Sequence, residues 1–290
     1  MSLEIIDVII SGLITGSVYA LMAMGLTLIY GVTKAFNFAY GSFYTMGGYI
    51  AWLLLVPIAI AGGYFSVFLL AVPLLFGIGY LLEKFLVAPL RKYDDWEVKV
   101  MMVTLGLSLF LDNGYMAVFG GRMKSLPTFV SGQIEIGGAV IMTQDLVIFI
   151  LAVGGMLCFR WILRNTRTGL AVEAVAQNPA GAQIVGIRKE VIFASTFAIS
   201  TIMVGLGGIL LSQKYFVAPV GGGDIMIKSW VVTAFGGMGS VQGSLYAAFI
   251  LGMLEAMVGW IFGMDYVMIS IFVVLLTTLA VRPKGLMGRG

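Results

Sequence analysis

RNTRTGLAVEAVAQNPAGAQIVGIRKE, residues 164–190, is the longest plainly polar stretch in an otherwise very apolar chain. It carries Arg164, Arg167, Arg188 and Lys189, and apolar runs flank it on both sides. Its pattern predicts two short helices with a break between them. Asn178 suits an N-cap, because its side chain can accept a bond from a free backbone N–H. Pro179 suits the first helical position, where a missing N–H costs nothing. Gly186 can take the left-handed conformation that ends a helix. A helix over Pro179–Val185 is too short to hold in water alone, so it needs a surface to dock on. Two readings follow from the residues: an ordinary connecting loop, or a pair of helices gripped by a cytoplasmic partner.

Outward from this loop the chain is a membrane protein. Hydrophobic residues make up 60% of the 290, and the mean hydropathy is +1.03. That excludes an ordinary soluble domain. Several apolar runs reach the ~20 residues needed to cross a bilayer. The expected fold is all-α and polytopic, with about 8–9 transmembrane segments. One helical membrane domain accounts for residues 1–290. The proposed spans are 5–30, 41–60, 64–87, 100–119, 144–163, 191–212, a short segment at 225–235, 241–262 and 266–281. The N-terminus has Glu4 and Asp7 and no early Lys or Arg, so residues from Ile5 onward read as a retained first span.

Basic residues in short loops set the orientation. With 164–190 inside and the spans alternating, only Arg122, Lys124, Lys214 and Lys228 of the 17 Lys and Arg fall outside. The N-terminus is then out, and the tail with Arg282, Lys284 and Arg289 is in. This count requires the 225–235 segment to cross. Between residues 120 and 142 an outer loop carries alternating Gln133, Ile134, Glu135 and Ile136 before Gly137 and Gly138, the pattern of a small hairpin. It reads equally as a docking surface or a cap.

Chemistry is restricted by what is missing. There is no histidine, and Cys158 is the single cysteine. Histidine metal sites and histidine-activated nucleophiles are excluded, and no cofactor or metal site is expected. The net charge of +3 gives no reason to infer a nucleic-acid partner. No G-x-x-x-x-G-K-[ST] pattern occurs, so an ATPase would have to be a separate subunit. A stand-alone carrier needs ionisable groups deep in the bilayer. Glu83 and Asp112 lie towards span ends, Asp265 lies at a boundary, and Glu255 alone is well inside. Glu255 is expected to hydrogen-bond between packed helices, with Glu255→Gln largely preserving uptake. The competing reading is a secondary carrier working through Glu255.

Two stretches look alike: NFAYGSFYTMGG from Asn37 and FGGMGSVQGS from Phe235. Each pairs Gly with Ser and adds glycines at helical spacing. Small residues let helices approach closely in lipid. Broken glycine-rich segments in corresponding places also mark transport pathways. Tight packing and pathway lining are both open.

Taken together, these motifs resemble the permease subunits of branched-chain amino acid ABC importers, and the likeness runs nearly end to end. It rests on GLITGSVYAL from Gly12 with GLTLIYG from Gly25, on NFAYG from Asn37, on Gly169, Ala174, Asn178, Ala182, Gly186 and Ile187 in the loop, and on FGGMGS from Phe235 with the tail RPKGLMG from Arg282. Tyr40 stands where the family usually has histidine, which leaves urea, amides and aromatic acids open beside branched-chain amino acids. The resemblance implies a second, similar permease, two cytoplasmic ATPases and an extracytoplasmic solute-binding protein, in the lipid of a bacterial or archaeal inner membrane. It implies a non-enzymatic subunit. Asn37, Tyr40, Gly41, Ser42, Gly236, Gly237 and Gly239 become pathway candidates. Gly169, Glu173, Ala174, Gln177, Asn178, Gly186 and Ile187 become the coupling candidates.

With Cys158 replaced, a cysteine placed in the tail after Arg282 is expected to react with a membrane-impermeant reagent only in inverted vesicles. Labelling from outside intact cells would make the 225–235 segment re-entrant.

Overall fold

The computed structural model describes residues 2–136 and 139–288. Gly137, Gly138 and Arg289 lie outside the described residues. Helix α1 spans Ser2–Thr33 and α2 spans Tyr40–Leu55. Helix α3, Gly63–Leu82, widens into a π turn over Glu83–Val87 and tightens to 3-10 over Ala88–Lys92. After α4, Trp96–Phe119, strands β1, Gln133–Ile136, and β2, Ala139–Met142, pair antiparallel, with Gln133 opposite Met142. Helix α5, Thr143–Asn165, leads into α6, Arg167–Gln177, and α7, Pro179–Ile184. The chain closes with α8, Lys189–Leu211, α9, Gly222–Gly236, α10, Val241–Ile261, and α11, Val267–Val281. A single 3-10 turn at Met264–Tyr266 holds Asp265 between the last two.

Seven spans are long and apolar enough to cross a membrane among the described residues. Helices α2 and α9 are shorter, at 16 and 15 residues. At 1.5 Å per residue α9 extends only about 22 Å, against a hydrocarbon core of ~30 Å. It still connects the two faces of the bundle. Its start follows the 212–221 segment at the end of α8. Its end is clasped by the C-terminal tail: Leu286 N–H donates to Phe235 O at 2.8 Å and Met287 N–H to Gly236 O at 3.0 Å. Helix α9 thus ends on the face where α11 ends, as a crossing segment must.

Helix α8 is the centre of the bundle, with 78% of its apolar window buried, while α4 and α11 have 11% each. The outer two therefore turn most of their surface to lipid or to another chain. Between apolar helices in lipid, hydrophobic burial gives little net force, so close packing must hold the bundle. It does so through small residues. On α1, Gly12 and Gly16 lie one turn apart and meet Gly252 of α10 backbone to backbone. Gly41 of α2 meets Gly222 of α9 in the same way, and a methyl group on either would drive into the other's carbonyl.

The end of α3 is locked to the start of α8. Glu83 is buried in an ion pair with Arg91, and the Arg91 guanidinium lies 4.0 Å over the Phe193 ring. On the opposite face the outer loop is anchored by Lys124, which exchanges two backbone bonds with Val217 at 2.8 and 2.9 Å.

Gly41→Leu is expected to separate α2 from α9 and to destabilise the chain by about 3 kcal/mol, the upper end of overpacking costs. The thermal midpoint of detergent-purified protein measures it. Gly77→Leu, where nothing stands within 4 Å, is the control and should leave it unchanged.

Candidate functional site

The chain between α1 and α2, residues 34–39, is non-helical but enclosed. Free backbone groups at such a break must find protein or water partners. Asn37 supplies one by accepting from Ala39 N–H at 3.0 Å, and Thr104 Oγ1 of α4 accepts from Phe38 N–H at 3.1 Å. Phe36 and Phe38 flank the Trp230 ring of α9, with centroids 5.0 and 4.7 Å away. Tyr40 is 0% exposed, and its hydroxyl donates to Met22 O of α1 at 2.5 Å. It thus faces neither lipid nor a headgroup layer. Ser42 donates to Asp112 Oδ1 at 2.8 Å and lies 2.8 Å from Ser108 Oγ, while Tyr115 donates to Ser42 O at 3.1 Å. Asp112 lies in the second half of α4, about two turns before its end.

The second glycine break is closed by different partners. Gly237 and Gly239 have φ of +104° and +84°, a conformation glycine tolerates and other residues resist. Gly236 packs on Gly243, Gly237 on the tail at Gly288, and Gly239 lies beside Gly31 of α1. Ser240 caps α10 by accepting from Gly243 N–H at 3.1 Å. The two breaks flank the end of α1; side chains fill the first and packed backbone fills the second.

In the 164–190 loop the local expectations hold. Asn178 accepts from Gly181 N–H at 2.9 Å, Pro179 opens α7, and Gly186 has φ +86°. Helix α7 ends at Ile184, one residue before the expected Val185. Thr166, which the sequence reading passed over, caps α6 by accepting from Gly169 N–H at 3.0 Å. Gly169 itself packs on the Ile162 and Leu163 carbonyls. Val172, Val175 and Ala182 are buried and hold both helices on the bundle. Ala174 is half-buried against the same core, and Ile187 is too. Glu173, Gln177, Ile184 and Val185 are exposed, Ile184 to 87% and Val185 to 75%. This leaves an exposed apolar pair on the side of the loop turned away from the bundle.

On the opposite face lies a cavity of about 370 Å³ between α1, α2, α9, α10 and the 211–218 segment. Charge is concentrated in it. Lys228 Nζ lies 2.7 Å from Glu255 Oε1 and donates to Tyr19 Oη at 2.9 Å, and Tyr19 donates to Glu255 Oε2 at 2.9 Å. Lys228 is therefore not an outer-loop residue; it is in the second turn of α9, facing α10. Glu255 does hydrogen-bond between packed helices, to Tyr19 of α1 and Lys228 of α9, and the second of these contacts is also an ion pair. A second cavity, of about 470 Å³, lies under the β1–β2 hairpin, where Lys214 pairs with Asp145 at 3.2 Å.

The family described as branched-chain amino acid transport system / permease component matches residues 8–279. The chain belongs to this family. It is 30% identical to the high-affinity branched-chain amino acid transport system permease protein BraD of Pseudomonas aeruginosa, over 97% of this chain and 95% of that protein. It is 31% identical to LivH of Escherichia coli K12, a permease protein of the same description, over 96% and 94%. The fold is similar to that of a chain in PsaBC from Streptococcus pneumoniae in complex with Fab, with a TM-score of 0.50 at 12% identity, covering 94% of this chain and 91% of that one. As a member of a branched-chain amino acid permease family, the chain is a multi-pass transport component and not itself an enzyme.

For this permease the sequence reading found Glu255 but missed Lys228, Tyr19, Thr45 and Asp224. The missed signal was a lysine inside the short span 225–235, which has no place there without a buried counter-ion. Neutralising one member of a buried pair leaves the other unmatched. Lys228→Gln and Glu255→Gln should each cost about 3 kcal/mol, the low end for breaking such a pair. The double variant should recover most of the loss. A thermal-unfolding double-mutant cycle checks it; additive losses would show the pair to be uncoupled.

Proposed function

We propose that this chain is the transmembrane subunit of an ATP-driven importer of branched-chain amino acids or closely related small amino-acid solutes. In this reading it works with a second, similar permease, two cytoplasmic ATP-binding cassette subunits and an extracytoplasmic solute-binding protein, in a bacterial or archaeal inner membrane. The substrate class is taken from the relatives named above. The attachment to an ATPase is carried by one observation: the exposed Ile184 and Val185 on a short helix anchored by Ala182 and the Asn178 cap. A six-residue helix has little stability of its own. Here it is fixed from the bundle side and bare on the other, with Glu173 and Gln177 exposed one turn apart on α6.

Movement has a route from this loop. Helix α8 begins at Lys189 and ends at Leu211, which lines the outer cavity. Closure of the ATPases would push on α6 and α7, and α8 would carry that displacement as a rigid element to the outer face. Asn37, Tyr40, Gly41 and Ser42 lie at the start of α2, which packs on α8, and the Gly236–Gly239 turn joins α9 to α10 beside the end of α1. They are proposed as the packed elements that shift between outward and inward access.

Ile184→Glu is the direct test. It should leave membrane insertion and thermal midpoint unchanged, while reducing ATPase co-purification and leucine uptake at least tenfold. Wild-type co-purification from that variant would remove the loop from the coupling role. A substitution at Ala174 would be less informative, because that side chain already packs on the core.

A further inference from the structure

The outer cavity holds more charge than a structural ion pair needs. Besides Lys228 and Glu255, Asp224 lines it, one turn before Lys228 on α9. Asp224 is exposed and forms no ion pair among the described residues. The cavity thus carries two carboxylates and one ammonium. It also holds an unfinished polar contact. Thr45 is 2% exposed, lines the cavity, and its Oγ1 has no hydrogen-bond partner. A buried hydroxyl without a partner costs free energy, so one in a cavity wall points to something that completes it. Part of the remaining wall is apolar, with Leu211, Val217, Ala218, Ile225 and Met264, and part is polar, with Thr15, Ser212 and Tyr215. The volume of about 370 Å³ lies in the range of small-molecule sites.

We propose that this cavity binds the free α-amino acid as a zwitterion, with its carboxylate on Lys228, its ammonium between Asp224 and Glu255, and its branched side chain against the apolar wall. The proposal rests on the reading of the chain as an amino-acid importer and adds where, and by which charges, the solute is recognised. The zwitterion matches the site by position, its ammonium facing two carboxylates and its carboxylate facing the one lysine. A monoanionic acid would add negative charge to a site already negative and bring no cation to its carboxylates. A neutral amide or urea brings no full charge to either group. The ligand carboxylate would take over the place of Glu255 at Lys228, so the lysine exchanges one anionic partner for another and is never left bare. Thr45 Oγ1 gains its missing partner in the same step.

The test uses the permease assembled with its partner subunits in proteoliposomes, without the solute-binding protein, and measures equilibrium binding of radiolabelled L-leucine. Binding should be saturable and displaced by L-isoleucine. 4-Methylpentanoate, which lacks the ammonium, and 3-methylbutylamine, which lacks the carboxylate, should each compete at least tenfold more weakly. Phosphoethanolamine, a lipid-headgroup mimic with both charges and no apolar tail, should also fail to compete. Thr45→Val keeps the shape and removes only the hydroxyl, and should weaken binding three- to tenfold. Lys228→Gln should weaken it more than tenfold. If Lys228→Gln does not assemble, Thr45→Val and the competitors decide. Equal displacement by 4-methylpentanoate or phosphoethanolamine, or unchanged binding in Thr45→Val, would overturn the site. If the wild-type complex still takes up leucine with its binding protein in that case, the importer reading stands and only the site falls. If it neither binds nor takes up leucine, both fall.

Discussion

Backbone against backbone is the contact on which this bundle depends. Lipid tails are as apolar as leucine, so apolar side chains gain little by leaving them for one another. What remains is dispersion at close range, and it requires helices to approach to the thickness of their main chains. Gly12 and Gly16 on Gly252 bring α1 to α10, and Gly41 on Gly222 brings α2 to α9. Gly47 of α2 on Gly205, and Gly208 on the Tyr44 backbone, bring α2 to α8 in the same way. They also fix the heights at which polar residues on neighbouring helices meet.

The short helices follow from that packing. Helix α2 begins only after a non-helical segment, and α9 is too short to span hydrocarbon unaided. Both are tolerated because protein, not lipid, surrounds their ends. Thr104 and Asn37 satisfy the break before α2, and the C-terminal tail satisfies the end of α9. The same shielding allows charge inside the bundle. Lys228, Glu255 and Tyr19 form a closed triangle of contacts among three helices, and Glu83 pairs with Arg91 at the end of α3. One pair lies near each face, and α8 joins the two levels.

The two faces differ in what they present. The 164–190 side presents apolar side chains on short, externally supported helices, a surface suited to a protein partner. The opposite side presents a charged cavity with an apolar wall, a shape suited to a small polar solute. Rigid spans between them are packed too tightly to deform locally, so a displacement at one face must move whole helices.

The class of the protein was legible from residue content, because an apolar chain of this length has no other solvent to fold in. The loop was legible as well: Asn178, Pro179 and Gly186 act within a few residues of themselves, and their caps and turn formed as local chemistry requires. The β1–β2 hairpin was readable for the same reason, from alternation at Gln133–Ile136. Other features depended on residues far apart in sequence. Tyr40 reads as a substitution beside a glycine break, yet its surroundings are Met22 on one helix and Ser200 on another. Lys228 reads as a basic residue near an outer loop, yet its partner lies 27 positions on and its second contact 209 positions back. Local sequence determined which segments are helical and where they stop. Tertiary structure alone decided which charges meet, because partners on different helices are set by the register of packed glycines, and that register is not written in any one segment.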